Sequence, residues 1–271
     1  ILDMINDYDG WKNCQFRGEY SYWFRRYLPA LEKSGLPVPL GGTANFIKRD
    51  VLEELGGWDS YNLTEDFDLG LRLYYERKRT GVTKSITKRD ERGIFEEKYR
   101  VGILNLVTRE ESPITWKAWL RQRTRWQRGK IQTLKKLLKK PPSGIKRKFH
   151  SFMSCFSPHL GPMNLSGLAL SVYAFLTHAE LPFPIRELAY ANFAAIGCYM
   201  YMQSKGYLDA TENEKRSYRK LKALWCGITL PFYWMAQWIA DLRAIKQEYI
   251  DKKIFWEKTE HKGRHLKIYE R

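Results

Sequence analysis

The sequence predicts an α/β region over residues 1–150, an all-α transmembrane or interfacial region over 151–242 and a basic cytoplasmic tail over 243–271. Before about residue 150, short apolar runs alternate with charged segments, which is typical of a soluble α/β region. After it come three apolar stretches, at about 151–177, 187–203 and 222–240. A formal net charge of +17 over 271 residues indicates an anionic partner, such as nucleic acid, lipid headgroups or a phosphorylated substrate.

The N-terminal part of the α/β region predicts two helices and a strand. EYSYWFRRYLPALEKSG (19–35) places Tyr20, Trp23, Phe24, Tyr27 and Leu28 on one helical face, as in an amphipathic helix at a membrane interface or an ordinary surface helix. VPLGGTANFIKR (38–49) predicts a short strand and a loop. DVLEELGGWD (50–59) predicts a helix that is capped by Asp50 and ended by Gly56 and Gly57.

The next segments predict a helix, a charged excursion, a strand and a long helix. LTEDFD (63–68) begins a helix at Thr64 or Asp66 that runs to about Tyr75, and the charge-dense residues 76–98 predict a solvated excursion. YRVGILNLVT (99–108) predicts a buried strand. Residues 112–140 predict a helix with Ser112 as the N-cap and Pro113 in the first turn.

The apolar stretches predict membrane spans, and buried helices of a soluble domain are the alternative. Basic residues precede residue 150, fill the 204–220 loop and follow residue 243, so all three segments are expected in the cytoplasm. Two crossings satisfy that rule, with the 222–240 stretch, interrupted by Pro231, at the interface or re-entering on one side. The basic run at 133–150 is where an anionic leaflet would bind. Four cysteines without C-x-x-C spacing predict reduced, buried thiols.

Two short motifs point to chemistry. Thr64, Glu65 and Asp66 form an ordinary acidic helix start, or they place an oriented carboxylate that accepts a proton as a general base. Gln122, Arg125 and Trp126 have the spacing of one helical face, where Arg and Gln are also ordinary helix formers and Trp126 also fits a core. A guanidinium can bind a diphosphate through paired hydrogen bonds, and an indole can stack on a sugar ring. The motif therefore predicts binding of a sugar nucleotide and a glycan.

These motifs carry a resemblance to a known family. PLGGTANFIKRDVLEELGGWDSYNLTEDFDLGLRL (39–73), followed by QRTRWQRG (122–129), resembles the C-terminal part of family 2 inverting glycosyltransferases, above all the membrane-embedded cellulose-synthase-like group. The likeness covers residues 15 to about 130 closely and continues loosely to FWEKTEHKG (255–263). It implies a partial GT-A-like, Rossmann-like catalytic domain and a chain that is the C-terminal fragment of a longer enzyme.

The resemblance also implies roles for individual residues. Asp66 would be the general base, with Glu65 and Thr64 beside it, and it would share one pocket with Trp126, which would stack on the acceptor sugar. Gln122 and Arg125 would face the nucleotide diphosphate. The donor loop would contain four residues, Gly41, Gly42, Thr43 and Asn45. In the WEKTEH segment (256–261), Lys258, Thr259 and His261 would gate the nucleotide.

The cofactor and partners follow from the same resemblance. A divalent cation, Mg²⁺ or Mn²⁺, is expected with ligands mostly outside this chain, and Asp7-Tyr8-Asp9 fits a loop better than a metal motif. The partners would be a UDP- or GDP-sugar, a glycan or lipid acceptor and membrane lipids, without nucleic acid. The protein is expected in the bacterial inner membrane with its catalytic part in the cytoplasm.

The preferred function is extension of a β-glycan polysaccharide. One alternative is a single transfer to a lipid such as ceramide or polyprenol. The others are a non-catalytic basic module that binds a membrane or nucleic acid, and an inactive fragment that lacks half of its donor site.

Overall fold

The computed structural model describes residues 1–74, 100–142, 144–180, 182–214 and 217–252, and the backbone of 87–89 and 95–97. The helices are α1 (Trp11–Tyr22), α2 (Leu28–Lys33), α3 (Arg49–Glu54), α4 (Glu65–Arg72), α5 (Trp116–Lys139), α6 (Ile145–Thr177), α7 (Ile185–Ala210), α8 (Arg219–Ile228) and α9 (Leu230–Ile245). The strands are β1 (Leu2–Met4), β2 (Thr87–Arg89), β3 (Phe95–Glu97) and β4 (Thr108–Glu110). The described chain is therefore mostly helical.

The helices and strands fall into two compact units that interleave along the chain. The first unit contains Ile1–Tyr27, Asn105–Thr124 and the chain from Pro158 onwards, and the second contains Leu28–Leu104 and Arg125–Ser157. Helix α5 contributes its first part to the first unit and its second part to the second. The chain thus does not divide into compact units at residue 150.

Close helix packing builds the first unit. Helix α1 packs on α7 where Gly18 faces Gly206, and a Cβ on Gly206 would overlap the Gly18 carbonyl oxygen. A buried cluster of Cys14, Tyr207, Ala223 and Cys226 continues this contact onto α8. The predicted helix at 19–35 therefore begins earlier, at Trp11, and its first part is packed against another helix instead of lying free on a surface.

A network of buried ion pairs also lies in the first unit. Arg17 is almost fully buried and binds Asp3 at 3.1 Å, Asp7 at 3.2 Å and Glu214 at 2.7 Å. The second Asp7 oxygen accepts a hydrogen bond of 2.7 Å from the Tyr207 hydroxyl and lies 3.3 Å from Lys222 Nζ. Buried charges need such partners, because an unpaired ion in the interior loses its hydration.

Two apolar clusters form the core of the second unit. Phe67 and Leu71 of α4 pack with Leu134 and Leu137 of α5 and with Cys155 of α6. On its other side α4 packs Leu69 against α3, where Val51 and Leu55 are buried. Helix α4 is thus held between α3 and the α5–α6 pair.

The structure confirms the three helices predicted between residues 50 and 140 and corrects the N-caps of two of them, α3 and α5. Asp50 lies in the first turn of α3, whose N-cap is Lys48, while Gly56 and Gly57 end the helix with φ of 77° and 75° as predicted. Helix α5 begins at Trp116, and its cap is Thr115, whose Oγ1 accepts a 3.1 Å bond from Ala118 N–H. Ser112 is instead buried, where its backbone N–H and its hydroxyl donate to Asn6 Oδ1 at 2.8 and 2.9 Å.

The strand predictions were largely wrong. Residues 101–107 form no strand and are mostly exposed, as Leu106 shows with 70% of its surface accessible. In the described part of the chain, β4 pairs in parallel with the short β1, Leu2 opposite Thr108, so strand pairing begins at Thr108 and lasts three residues. Residues 38–41 are likewise not in a strand. In the 76–98 segment the described backbone forms an antiparallel pair, Thr87 opposite Glu97.

The three apolar stretches, 151–177, 187–203 and 222–240, are helical apart from Thr229. Within those residues one helix, α6, is long and apolar enough to cross a membrane, so the prediction of two spans stays a prediction. The predicted break near Pro231 is confirmed, since α8 ends at Ile228 and α9 starts at Leu230. All four cysteines are free thiols, but Cys198 is exposed, against the prediction of burial.

We predict that Gly206→Ala destabilises the first unit by about 1–3 kcal/mol, because the added methyl would force α1 and α7 apart. Gly197→Ala on the same helix is the matched control, since nothing lies within 4 Å of its Cβ position. That control should be neutral or stabilising by up to about 1 kcal/mol through helix propensity. Denaturant unfolding in detergent measures both, and equal stability of the two variants would contradict the packing.

Candidate active site

The start of helix α4 is seated on helix α5 at a glycine. Thr64 is the N-cap residue of α4 and is buried, and its side chain fills the space where Gly129 has no Cβ. A Cβ on Gly129 would overlap the Thr64 side chain. The contact explains why a glycine follows the Gln122–Trp126 run one turn later on α5.

Three hydrogen bonds hold the loop before α4 on the same helix. Asn62 Nδ2 donates to Thr133 Oγ1 at 2.9 Å, and the Leu63 backbone N–H donates to Gln132 Oε1 at 3.0 Å. Arg125 Nη1 donates to the Leu63 carbonyl at 3.3 Å. One face of α5 therefore fixes the backbone that leads into Thr64.

Asp68 anchors α4 through ion pairs. Its side chain is fully buried, and it binds Arg72 Nε at 2.7 Å and Lys136 Nζ at 3.0 Å. Lys136 also pairs with Asp59. Arg72 donates further to the carbonyls of Leu55 and Gly57 at 2.8 and 2.7 Å. This acid of the LTEDFD stretch therefore serves the fold.

Asp66 has different surroundings, because its carboxylate faces the 41–45 loop. A Cβ on Gly42 would lie 3.3 Å from Asp66 Oδ2, so the loop backbone passes directly beside the carboxylate. The absence of a side chain at Gly70 allows this approach. A Cβ on Gly70 would lie only 2.7 Å from the Leu40 backbone nitrogen and the Val38 carbonyl oxygen. The close approach of α4 to residues 38–40 thus requires glycine at position 70.

The proton affinity of Asp66 is altered by this environment. Burial raises the pKa of its carboxyl from the usual 3.8 to about 6, and the Glu65 carboxylate acts in the same direction. The backbone N–H groups of Phe67 and Asp66 and the Arg125 guanidinium lower the pKa and partly offset the increase. A half-buried carboxylate with a pKa near the working pH can accept a proton from a bound hydroxyl.

The 41–45 loop beside Asp66 is mostly exposed and contains an internal hydrogen bond. Gly42, Thr43 and Asn45 are exposed, and Gly41 is partly so. The Asn45 side-chain amide donates to the Gly41 carbonyl and closes the loop on itself. Of the four predicted loop residues, the structure places Gly42 against Asp66.

Helix α5 carries the second predicted group. Gln122, Arg125 and Trp126 lie on this helix at the predicted spacing, with Arg125 and Trp126 partly exposed. The Gln122 side chain is buried, and among the described residues its Oε1 has no hydrogen-bond partner. A buried acceptor without a partner is typical of a position that a ligand or water satisfies.

Arg123 is a structural residue in the middle of this run. It binds both oxygens of Glu19 at 2.7 and 2.5 Å and donates to the Tyr233 hydroxyl at 3.1 Å. The Phe16 ring lies 4.7 Å from its guanidinium carbon. Sequence reasoning missed this network, since Glu19 and Tyr233 are distant in sequence and only the buried contact joins them.

A pocket of about 370 Å³ lies beside α4, on the side of Asp68. Its walls include Trp58, Asp59, Tyr61, Asp68 and Lys136, but neither Asp66 nor Trp126. The proposal that Asp66 and Trp126 share one pocket therefore stays a prediction. The gating candidates Lys258, Thr259 and His261 lie outside the described residues.

The divalent cation expected from the resemblance finds no fitting ligand set in the described part of the chain. No group of three or more His, Cys, Asp or Glu side chains there could hold a metal ion. Asp7, in the Asp7-Tyr8-Asp9 motif, has both oxygens committed to Arg17, Tyr207 and Lys222. These contacts give Asp7 a structural role, and residues 7–9 form a short 3-10 helix where a loop was predicted.

Comparison with known proteins identifies two relatives. Probable glycosyltransferase YdaM of Bacillus subtilis is 36% identical over 98 residues, which are 36% of this chain and 18% of that protein. A beta-monoglucosyldiacylglycerol synthase of Synechocystis is 24% identical over 229 residues, 82% of this chain and 42% of that protein. The chain thus spans less than half the length of either relative, and no solved structure matches it.

A family model agrees with these relatives. The model described as glycosyl transferase family group 2 matches residues 6–237, which include both α4 and the Gln122–Trp126 run. The match covers most of the 271 residues. The chain therefore belongs to glycosyl transferase family group 2.

Proposed function

We propose that this protein transfers a sugar from a nucleotide-sugar donor to an acceptor hydroxyl with inversion, and that Asp66 is the general base. The observation that carries the proposal is the half-buried Asp66 carboxylate, with its raised pKa, beside Gly42 and within the field of Arg125. As the acceptor oxygen bonds to the anomeric carbon, the bond from that carbon to the diphosphate breaks. The acceptor proton passes to Asp66.

The neighbouring residues would divide donor and acceptor binding. Arg125, whose guanidinium fork suits a diphosphate, would bind the leaving group, and Gln122 would use its buried carbonyl oxygen toward the donor. Trp126 would stack on the acceptor, and Gly41, Gly42, Thr43 and Asn45 would line the donor side. Thr64, buried against Gly129, would position Asp66 rather than touch substrate. No step is assigned to a metal ion, because the described residues offer no fitting ligands.

The acceptor we propose is a membrane lipid. The relative that covers 82% of this chain is named for glucosyl transfer to diacylglycerol, whereas no relative reported above is named for a polysaccharide. Helix α6, which is long and apolar enough to enter a bilayer, would bring the enzyme to such an acceptor. Extension of a polysaccharide, which the resemblance favours, is the competing outcome.

Asp66→Asn should lower kcat by about 10²–10⁴-fold, because the amide cannot accept the acceptor proton. Nucleotide binding should change little, and the melting temperature should not fall, since an ionised half-buried carboxylate is removed. Asp50→Asn on α3, an exposed acid of the same unit, is the matched control and should retain full activity. Initial rates with a labelled nucleotide sugar measure the effect, and an active Asp66→Asn enzyme would refute the assignment.

The pH dependence of kcat/KM should show the Asp66 ionisation. Because the base must be deprotonated, kcat/KM should rise with pH up to about 6 and then level off. Glu65→Gln removes a charge that raises this pKa, so its acid limb should move to lower pH. Arg125→Gln removes a charge that lowers the pKa, so its limb should move to higher pH. Shifts in the same direction would exclude Asp66 as the titrating group.

Product length separates the two acceptor classes. With a labelled nucleotide sugar and vesicles containing diacylglycerol, we expect a lipid that carries one sugar, resolved by thin-layer chromatography and mass spectrometry. Asp66→Asn serves as the blank for both products. A water-soluble polymer of many sugars would reject the lipid acceptor while leaving the role of Asp66 intact.

A further inference from the structure

The corner between α5 and α6 is strongly basic. Residues 133–150 carry seven Lys or Arg and no Asp or Glu. The catalytic proposal uses none of them. Like-charged side chains crowded in one segment repel each other, so a run of this kind is typical of a site for an anionic partner.

Lys136 and Arg147 are among the cations that the fold uses. Lys136 pairs with Asp59 and Asp68. Arg147 Nε donates to the Gly35 carbonyl at 3.2 Å, and its guanidinium carbon lies 5.9 Å from the centre of the Tyr74 ring. The lysines at the corner itself, Lys139, Lys140 and Lys146, are exposed, as is Lys148.

Large apolar side chains stand among these lysines. Leu138, Ile145 and Phe149 are 67%, 84% and 67% exposed. They do not belong to the core faces of their helices, because α5 buries Leu134 and Leu137 and α6 buries Cys155. The corner patch is defined here as Leu138, Lys139, Lys140, Ile145, Lys146 and Phe149.

We propose that the corner patch docks on an anionic lipid surface. Leu138, Ile145 and Phe149 would enter the boundary between headgroups and acyl chains, while the three lysines bind lipid phosphates. Interfacial segments combine these features, since apolar burial and charge attraction act together there. The patch also continues into α6, which starts at Ile145 and is apolar enough to cross a membrane.

A lipid surface fits this patch better than nucleic acid does. Single-stranded nucleic acid is bound by stacking on aromatic rings, and duplexes by phosphate and groove contacts. The exposed aliphatic side chains of Leu138 and Ile145 gain little from either, but they are transferred from water to hydrocarbon at a bilayer. The proposal does not depend on the sugar transfer reaction.

The test is partition of the protein between buffer and two kinds of vesicle. One vesicle is phosphatidylcholine alone, and the other is equal parts of phosphatidylcholine and phosphatidylglycerol. Any contribution of α6 to insertion is shared by both vesicles, so the patch is measured by the excess binding to the anionic one. That excess should fall as salt is raised, because exposed charges are screened within about 10 Å at 0.1 M salt.

Changing Lys139, Lys140 and Lys146 together to Gln should lower the excess about a hundredfold, at roughly fivefold per lysine. Binding to phosphatidylcholine should stay unchanged. The matched control changes three exposed lysines outside the patch, Lys33, Lys48 and Lys117, to Gln and should keep the excess. Ile145→Ser with Phe149→Ser should weaken the binding that remains at high salt, since apolar contacts are not screened.

Circular dichroism of each variant should match the parent, because every changed side chain is exposed. Equal partition into both vesicles, or an excess that survives the triple lysine change, would overturn the proposal. Patch-dependent binding of a short single-stranded RNA without preference for phosphatidylglycerol would overturn it in favour of nucleic acid.

Discussion

The candidate site depends on the contact between Thr64 and Gly129. Without a side chain at position 129, the N-cap of α4 reaches the surface of α5, and Arg125, Gln132 and Thr133 then bind the loop that precedes it. Any larger residue at 129 would displace the start of α4. The position of the Asp66 carboxylate is therefore set by a close approach of two helices.

The acids at this helix start have separate roles that follow from their surroundings. Asp68 is fully buried, but Arg72 and Lys136 compensate its charge. Asp66 is only half-buried, and burial together with Glu65 raises its pKa more than Arg125 and the backbone N–H groups lower it. The ion pairs of Asp68 hold α4 in place, so Asp66 can keep a raised proton affinity without having to stabilise the fold.

Much of the site was predictable because local rules govern it. The α4 start at Thr64, the α3 end at Gly56–Gly57 and the helical spacing of Gln122, Arg125 and Trp126 follow from capping and periodicity, and the structure confirms them. The prediction of a buried strand at 99–108 was wrong because a strand also needs a paired neighbour, and β1 pairs with only three residues of β4. The prediction of Ser112 as the N-cap was wrong because its backbone N–H and its hydroxyl donate to Asn6, which is far away in the sequence.

The sequence by itself determined the helices, the two motifs, the basic run before α6 and, through resemblance, the family. Tertiary structure alone decided which of several similar residues have the surroundings on which the proposed site rests and which are held in ion pairs of the fold. Asp66 and Asp68, or Arg125 and Arg123, cannot be separated by residue type, since each pair has the same chemistry. The members of each pair differ only in their surroundings. Those surroundings, the ion-pair partners Glu19 and Lys136 and the packing neighbour Gly42, come from distant parts of the chain.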